Sequence, residues 1–125
     1  MKDWELAEKK VADATKGKIP PGSGSGNLKG DVRTVDWVFE VKQTSKDVFT
    51  LSKSWLDKLE VMSKSKEVCL VIFFELRGYC FYYTPQKQEY EPWKTISFKE
   101  NEIPKVLITE NGTWEFDTFE SLWNL

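Results

Sequence analysis

The run Glu67–Phe74, which reads Glu-Val-Cys-Leu-Val-Ile-Phe-Phe, most constrains how this chain can fold. A continuous apolar run of this length predicts a strand that is covered on both faces. The chain has 125 residues, of which 40% are hydrophobic, including six Trp and eight Phe. We therefore expect one globular domain, residues 1–125, with a substantial core.

The pattern along the chain favours an α/β or α+β class, in which helices pack on a sheet. An apolar stripe at helical spacing predicts a first helix that ends near Gly17. An Asn-Gly turn near the C-terminus predicts a hairpin. The predicted helices are 3–16, 52–64 and a short C-terminal one that Asp117 caps, and the predicted strands are 31–35, 37–44, 67–74, 79–83, 95–98, 106–109 and 113–116.

Acidic and basic residues alternate with apolar ones in the strand Trp-Val-Phe-Glu-Val-Lys, where they form a candidate catalytic site. Side chains alternate with a period of two, so Glu40 and Lys42 share one face of the strand while the apolar residues between them enter the core. If Val35 and Asp36 form the tip of a hairpin, Asp31 lies directly across from Glu40. Opposed residues in an antiparallel pair have Cβ atoms about 4.5–5.5 Å apart.

Two carboxylates at this separation repel each other unless a cation lies between them. With Lys42 one pleat away, the arrangement suits a divalent-metal site for phosphodiester cleavage. The alternative is an ordinary solvent-facing side of a half-buried sheet. Asp36 is the rival acidic ligand, although Asp is also a favoured turn residue.

The composition limits the chemistry that this chain can perform. It has no His and two Cys, which excludes an ordinary zinc site and histidine-based acid–base or triad chemistry. An enzyme of this composition depends on carboxylates, lysine, hydroxyls and a hard metal ion. Cys69 and Cys80 are interpreted as buried free thiols, which agrees with a reducing cytosol.

Glycine and serine dominate residues 22–26, which follow two prolines. Such a segment is either a flexible linker or a ligand-binding loop. A linker this early would leave the first helix without a core, so a loop that contacts phosphate through Ser23 and Ser25 is favoured. It lacks the Gly-Lys-Ser/Thr ending of a Walker loop.

The net charge of −2 is unevenly distributed. Residues 1–66 contain 13 Lys and Arg against 10 Asp and Glu, whereas residues 67–125 contain 5 against 10. A basic half that contains the candidate site fits binding to a phosphate backbone. The candidate phosphate contacts, each of which is alternatively a surface charge, are Lys29, Arg33 and Lys46. Gln43, which alternates away from Lys42, has either a binding role or a hydrogen bond in the core.

The order of these motifs resembles the PD-(D/E)xK nuclease superfamily. The segments concerned are Glu8-Lys-Lys-Val-Ala12, Ser23-Gly-Ser25, Gly30-Asp31, Phe39-Glu40-Val-Lys42-Gln43-Thr44, Leu51-Ser-x-x-Trp-Leu56 and Val71-Ile-Phe73. They are most similar to the small Holliday-junction resolvases of archaea, bacteria and phages, over about residues 4–75. The resemblance implies an α/β restriction-endonuclease-like fold with a central mixed β-sheet flanked by helices.

The resemblance also implies roles for individual residues and a cofactor, Mg²⁺ or Mn²⁺. The implied metal ligands are Asp31, Glu40 and the carbonyl of Val41. Lys42 would orient the attacking water or stabilise the transition state, and Glu8 would add a further catalytic carboxylate. The implied substrate contacts lie in the Gly/Ser loop, at Ser23 or Ser25.

The resemblance implies a metal-dependent DNA endonuclease, with resolution of four-way junctions as the first choice. Two symmetric nicks imply a twofold homodimer, and the apolar, aromatic strands after residue 67 are expected to form part of its interface. The alternatives are another PD-(D/E)xK nuclease of restriction, nicking or repair type, and a non-catalytic nucleic-acid-binding module. No membrane segment or signal peptide is visible, so a cytoplasmic protein is expected, and a phage origin would place it in the host cytoplasm.

Overall fold

A mixed six-stranded sheet with one helix on each face forms the body of the computed structural model, which describes residues 2–20 and 31–120. The strand order is β1-β2-β4-β5-β8-β7, and β3 and β6 form a separate two-stranded sheet. The helices are α1, Asp3–Thr15, and α2, Lys53–Met62. The strands are β1 Val32–Arg33, β2 Trp37–Thr44, β3 Val48–Ser52, β4 Glu67–Phe74, β5 Arg77–Thr84, β6 Thr95–Lys99, β7 Val106–Ile108 and β8 Thr113–Thr118.

The apolar run that forms β4 lies inside the sheet and is buried on both faces, as its sequence predicts. It pairs in parallel with β2 and antiparallel with β5. Parallel neighbours need a crossover connection, and α2 lies in that connection between β2 and β4. This crossover places α2 over one face of β2.

The core has two parts, one on each face of the sheet. Under α2, Val38 of β2 and Leu70 and Ile72 of β4 pack with Leu56 and Leu59 of the helix. On the opposite face, α1 contributes Ala7 and Val11 to a second cluster, whose strand members include Phe39, Val41, Cys69, Val71 and Cys80. Two predictions are thereby confirmed. The apolar side chains of β2 next to Glu40 enter the core, and both cysteines are buried free thiols.

Two parts of the predicted secondary structure are wrong. The helix that Asp117 was expected to cap does not begin there, because β8 extends through Thr118 and pairs with β5. Leu122 and Trp123 of that predicted helix lie outside the described residues. Strand β3 was not predicted, and its partner β6 lies more than forty residues further along the chain.

Of the apolar strands after residue 67, which were expected to form part of a dimer interface, β4 is poorly placed for this role. The side chains of Val68–Phe74 are buried within a single subunit, against both helices and the neighbouring strands. Within the described part of the chain, no helix has the length and apolar character needed to cross a membrane.

Candidate active site

The hairpin of β1 and β2 sets the geometry of the candidate site. Val32 pairs with Phe39 and Arg33 with Val38, which is the register predicted from the Val35-Asp36 tip. The ladder ends there, and the Asp31 amide donates at 2.9 Å to the carbonyl of Phe39, the residue that already pairs with Val32, so Asp31 is one residue out of this register. The structure shows no strand pairing between Asp31 and Glu40, but the two carboxyl groups lie close enough for the charge of Asp31 to raise the pKa of Glu40.

Asp31 is held rigidly by the strand beside it. Its side chain is only 6% exposed, and its Oδ2 accepts a hydrogen bond of 2.8 Å from the backbone amide of Val41. A charged acceptor strengthens such a bond. The amide and the carbonyl of one strand residue face the same edge, so the Val41 carbonyl emerges on the Asp31 side of β2.

Glu40 lies in surroundings that oppose its negative charge. Burial raises the pKa of its carboxyl group above the ordinary value, and the negative charge of Asp31 raises it further. The positive charges of Lys42 and Lys58 lower it, but do not fully compensate. A site of this kind gains from binding a cation, because the cation removes the repulsion and replaces lost solvation.

Lys42 completes a close group with Glu40, as the two-residue period of β2 predicts. Its Nζ lies 3.8 Å from Oε1 of Glu40. The same ammonium lies over the ring of Trp55 in α2, 4.6 Å from the ring centroid. The two residues differ in exposure: the side chain of Lys42 is 31% exposed, and that of Glu40 is 22% exposed.

Helix α2 contributes two residues that the sequence analysis missed. Trp55 contacts Lys42, and Lys58, one turn further along the helix, acts electrostatically on Glu40. The signal available in the sequence was the parallel crossover, because a helix between β2 and β4 must cover one face of β2. Which of its residues meet Lys42 depends on the packing of the helix on the sheet, and spacing alone does not give that.

Glu8 is buried, at 7% exposure, on the face of α1 that also carries Ala7 and Val11. This helix packs on the side of the sheet that contains Phe39 and Val41, opposite to the face of Glu40. Among residues 2–20 and 31–120, no three His, Cys, Asp or Glu side chains are grouped so that they could hold a metal ion. Asp31 and Glu40 lie close enough for their charges to interact, and the role of Glu8 as a catalytic carboxylate stays a prediction.

The residues predicted to contact the substrate lie in different surroundings in the structure. The Gln43 amide donates to Ser45 Oγ at 3.1 Å, and that hydroxyl donates to Asp3 of α1 at 3.2 Å. Arg33 lies in β1, where its backbone pairs with Lys18, and Lys46 is exposed in the turn after β2. Three predicted contacts fall outside the described residues, namely Ser23, Ser25 and Lys29.

The Asp31–Glu40 pair fits a magnesium ion in its chemistry. Mg²⁺ prefers hard oxygen ligands, keeps several waters and is commonly held by one or two carboxylates. Here the charges of two carboxylates interact, and the net environment of Glu40 disfavours its negative charge. The residues that would hold the ion are Asp31 and Glu40, with the carbonyl of Val41.

Comparison with known proteins identifies the fold. No family model matches the chain, and no curated protein matches it. Among solved structures, the chain is similar to Hjc of Archaeoglobus fulgidus, a Holliday junction resolvase from an archaeal hyperthermophile. The match has a TM-score of 0.53 and 12% sequence identity, and it covers 80% of this chain and 86% of that one. The protein thus has the fold of this resolvase, a central mixed sheet flanked by helices, and at this identity the likeness concerns the fold alone.

Proposed function

We propose that this protein is a metal-dependent DNA endonuclease that resolves four-way (Holliday) junctions by paired, symmetric phosphodiester cleavage. One observation carries the proposal: Asp31, which accepts from the Val41 amide, and Glu40 lie close enough for their charges to interact, and the ammonium of Lys42 lies 3.8 Å from Glu40. A solved structure with the same fold is a Holliday junction resolvase, which supports the choice of substrate.

In this proposal, Asp31, Glu40 and the Val41 carbonyl hold Mg²⁺ or Mn²⁺. When bound, such an ion supplies a water of lowered pKa and neutralises charge that develops on the phosphate. Asp31 brings a fixed carboxylate, because the Val41 amide orients it. Glu40 brings the second carboxylate, whose unfavourable surroundings strengthen its interaction with a cation.

The basic residues of the site act on the phosphate itself. Lys42 donates to a non-bridging oxygen of the scissile phosphate or orients the attacking water, and its charge offsets the negative charge of the transition state. Lys58 adds a second positive charge from α2. Glu8 is assigned an outer role, as a buried carboxylate that supports the site from α1 without forming a three-acid cluster.

Two symmetric cuts require two copies of this site, so the active form is proposed to be a twofold homodimer. DNA is the proposed partner. A basic N-terminal half that contains the site gives the substrate a favourable electrostatic approach.

The proposal is tested with three labelled DNAs of the same sequence: a four-way junction, a plain duplex and a single strand. Each is incubated with the purified protein in Mg²⁺ and, separately, in chelator. We expect symmetric nicks in the junction, in Mg²⁺ only. Mg²⁺-dependent cutting of the duplex would assign the chain to the restriction, nicking or repair type of nuclease. Binding without any cutting would make it a non-catalytic nucleic-acid-binding module.

A further inference from the structure

Lys42 is not fixed by its ion pair alone. The contact between its Nζ and Glu40 Oε1 is long, at 3.8 Å, and nearly a third of the side chain is exposed. Partly exposed ion pairs give little net stabilisation, and a lysine has a flexible four-carbon stem. A second contact is therefore needed if the ammonium is to occupy one position beside Glu40.

The ring of Trp55 provides this second contact. Its centroid lies 4.6 Å from the Lys42 ammonium, within the range of a cation–π interaction, for which tryptophan is the best partner. The attraction comes from the ring face, so it acts on the ammonium without neutralising it. A carboxylate in the same place would compete with the phosphate for the charge.

Trp55 is itself held by the core. It belongs to α2, and its ring meets Phe49 edge to face, with centroids 6.1 Å apart and an interplanar angle of 64°. Phe49 is buried and contacts the rings of Phe74 and Phe98. A continuous set of packed rings thus runs from the core of the protein to the ammonium of Lys42.

We propose that Trp55 is a positioning residue, which holds the ammonium of Lys42 beside Glu40 so that it meets the scissile phosphate. Its kinetic consequence rests on the proposed nuclease function. Trp55 touches neither the metal nor the reacting atoms in this account, and acts only through Lys42.

The first test replaces the ring face while keeping the packing. Trp55→Met retains an unbranched, apolar side chain that packs in irregular space, whereas Trp55→Phe retains an aromatic face. We expect Trp55→Met to lower kcat by about 10- to 100-fold, as misplacement of a catalytic group does, with little change in KM. Trp55→Phe should recover most of the rate. Trp93→Met is the matched control, because Trp93 packs against the same core cluster and should keep the wild-type rate.

The second test reads the position of Lys42 without any activity. With ¹³C at the lysine ε carbons, the ring current of Trp55 should displace the Lys42 ε-proton signals upfield of those of other lysines. Lys42→Arg assigns these signals by removing them. They should return to the ordinary lysine position in Trp55→Met and stay displaced in Trp55→Phe.

The two tests separate failure of this inference from failure of the proposed function. A wild-type protein that cuts no DNA would refute the nuclease proposal, and the lysine spectrum would still decide whether Trp55 positions Lys42. An undisplaced Lys42 signal in the wild type overturns the inference, even if Trp55→Met does not fold. So does an unchanged kcat in a folded Trp55→Met variant.

Discussion

At the scale of single residues, the site combines three groups. They are a carboxylate with a fixed orientation, a carboxylate whose negative charge is disfavoured, and an ammonium that lies against an aromatic ring. The Val41 amide fixes Asp31, burial and Asp31 together disfavour the charge of Glu40, and Trp55 lies against Lys42. The disfavoured charge of Glu40 has a cost in the metal-free protein. The three groups are consistent with a site whose charges are balanced only when a cation is bound.

The raised pKa of Glu40 has a consequence for stability without metal. The carboxyl group of Glu40 then binds its proton more tightly in the folded protein than in the unfolded protein. Its contribution to the free energy of unfolding therefore falls as the pH rises above about 4.5, the ordinary pKa of a glutamate. We predict that Glu40→Gln melts at a higher temperature than the wild type at pH 7 in chelator, and that this difference disappears below pH 4.5.

The same melting experiment contains its controls. Adding Mg²⁺ should raise the melting temperature of the wild type and leave that of Glu40→Gln nearly unchanged, since ligand binding stabilises only the form that binds. Asp36→Asn removes a negative charge at the exposed hairpin tip and should behave as the wild type. A Glu40→Gln variant that is less stable than the wild type at pH 7 in chelator would contradict the account of Glu40.

At the scale of elements, α2 joins the site to the far edge of the sheet. One of its faces covers β2, and its buried Glu60 accepts hydrogen bonds from the β7–β8 hairpin. The donors are Thr109 Oγ1 at 2.6 Å, Trp114 Nε1 at 2.9 Å and Asn111 Nδ2 at 3.0 Å. This carboxylate therefore fixes the helix that carries Trp55 and Lys58.

Removing this anchor should destabilise the fold. Glu60→Ala leaves buried donors without an acceptor, so we expect the free energy of unfolding to fall by about 2–3 kcal/mol in urea denaturation. Glu115→Ala, which removes an exposed carboxylate from β8, should change it by less than about 0.5 kcal/mol. Equal effects of the two substitutions would show that the Glu60 network contributes nothing specific.

Patterns within short segments of the sequence predicted the strand faces and the hairpins that form within those segments. The period of two gave the face of Glu40 and Lys42, the Val35-Asp36 tip gave the register of β1 and β2, and Asn111-Gly112 gave the β7–β8 hairpin. Interactions between distant segments could not be found in this way. The pairing of Val48–Ser52 with Thr95–Lys99 and the contact of Trp55 with Lys42 both depend on how the whole chain packs.

At the scale of the whole molecule, the proposed reaction requires two active sites related by a twofold axis. We predict that light scattering after gel filtration gives twice the mass of one chain, at the concentrations where paired nicks are seen. The interface should not involve β4, because its side chains are buried within the subunit. A monomer that makes paired nicks at those concentrations would contradict the proposed assembly.

The central claim is that Asp31, Glu40 and Lys42 form one metal-dependent cleavage site. It is tested most directly by the Mg²⁺-dependent rate of junction nicking in Asp31→Asn, Glu40→Gln and Lys42→Ala, with Asp36→Asn as the matched acidic control. We predict that each of the three lowers the rate by at least about 10²–10³-fold, to below detection, while the fold is retained. Asp36→Asn should cut as the wild type does. Normal cleavage by Glu40→Gln would contradict the account.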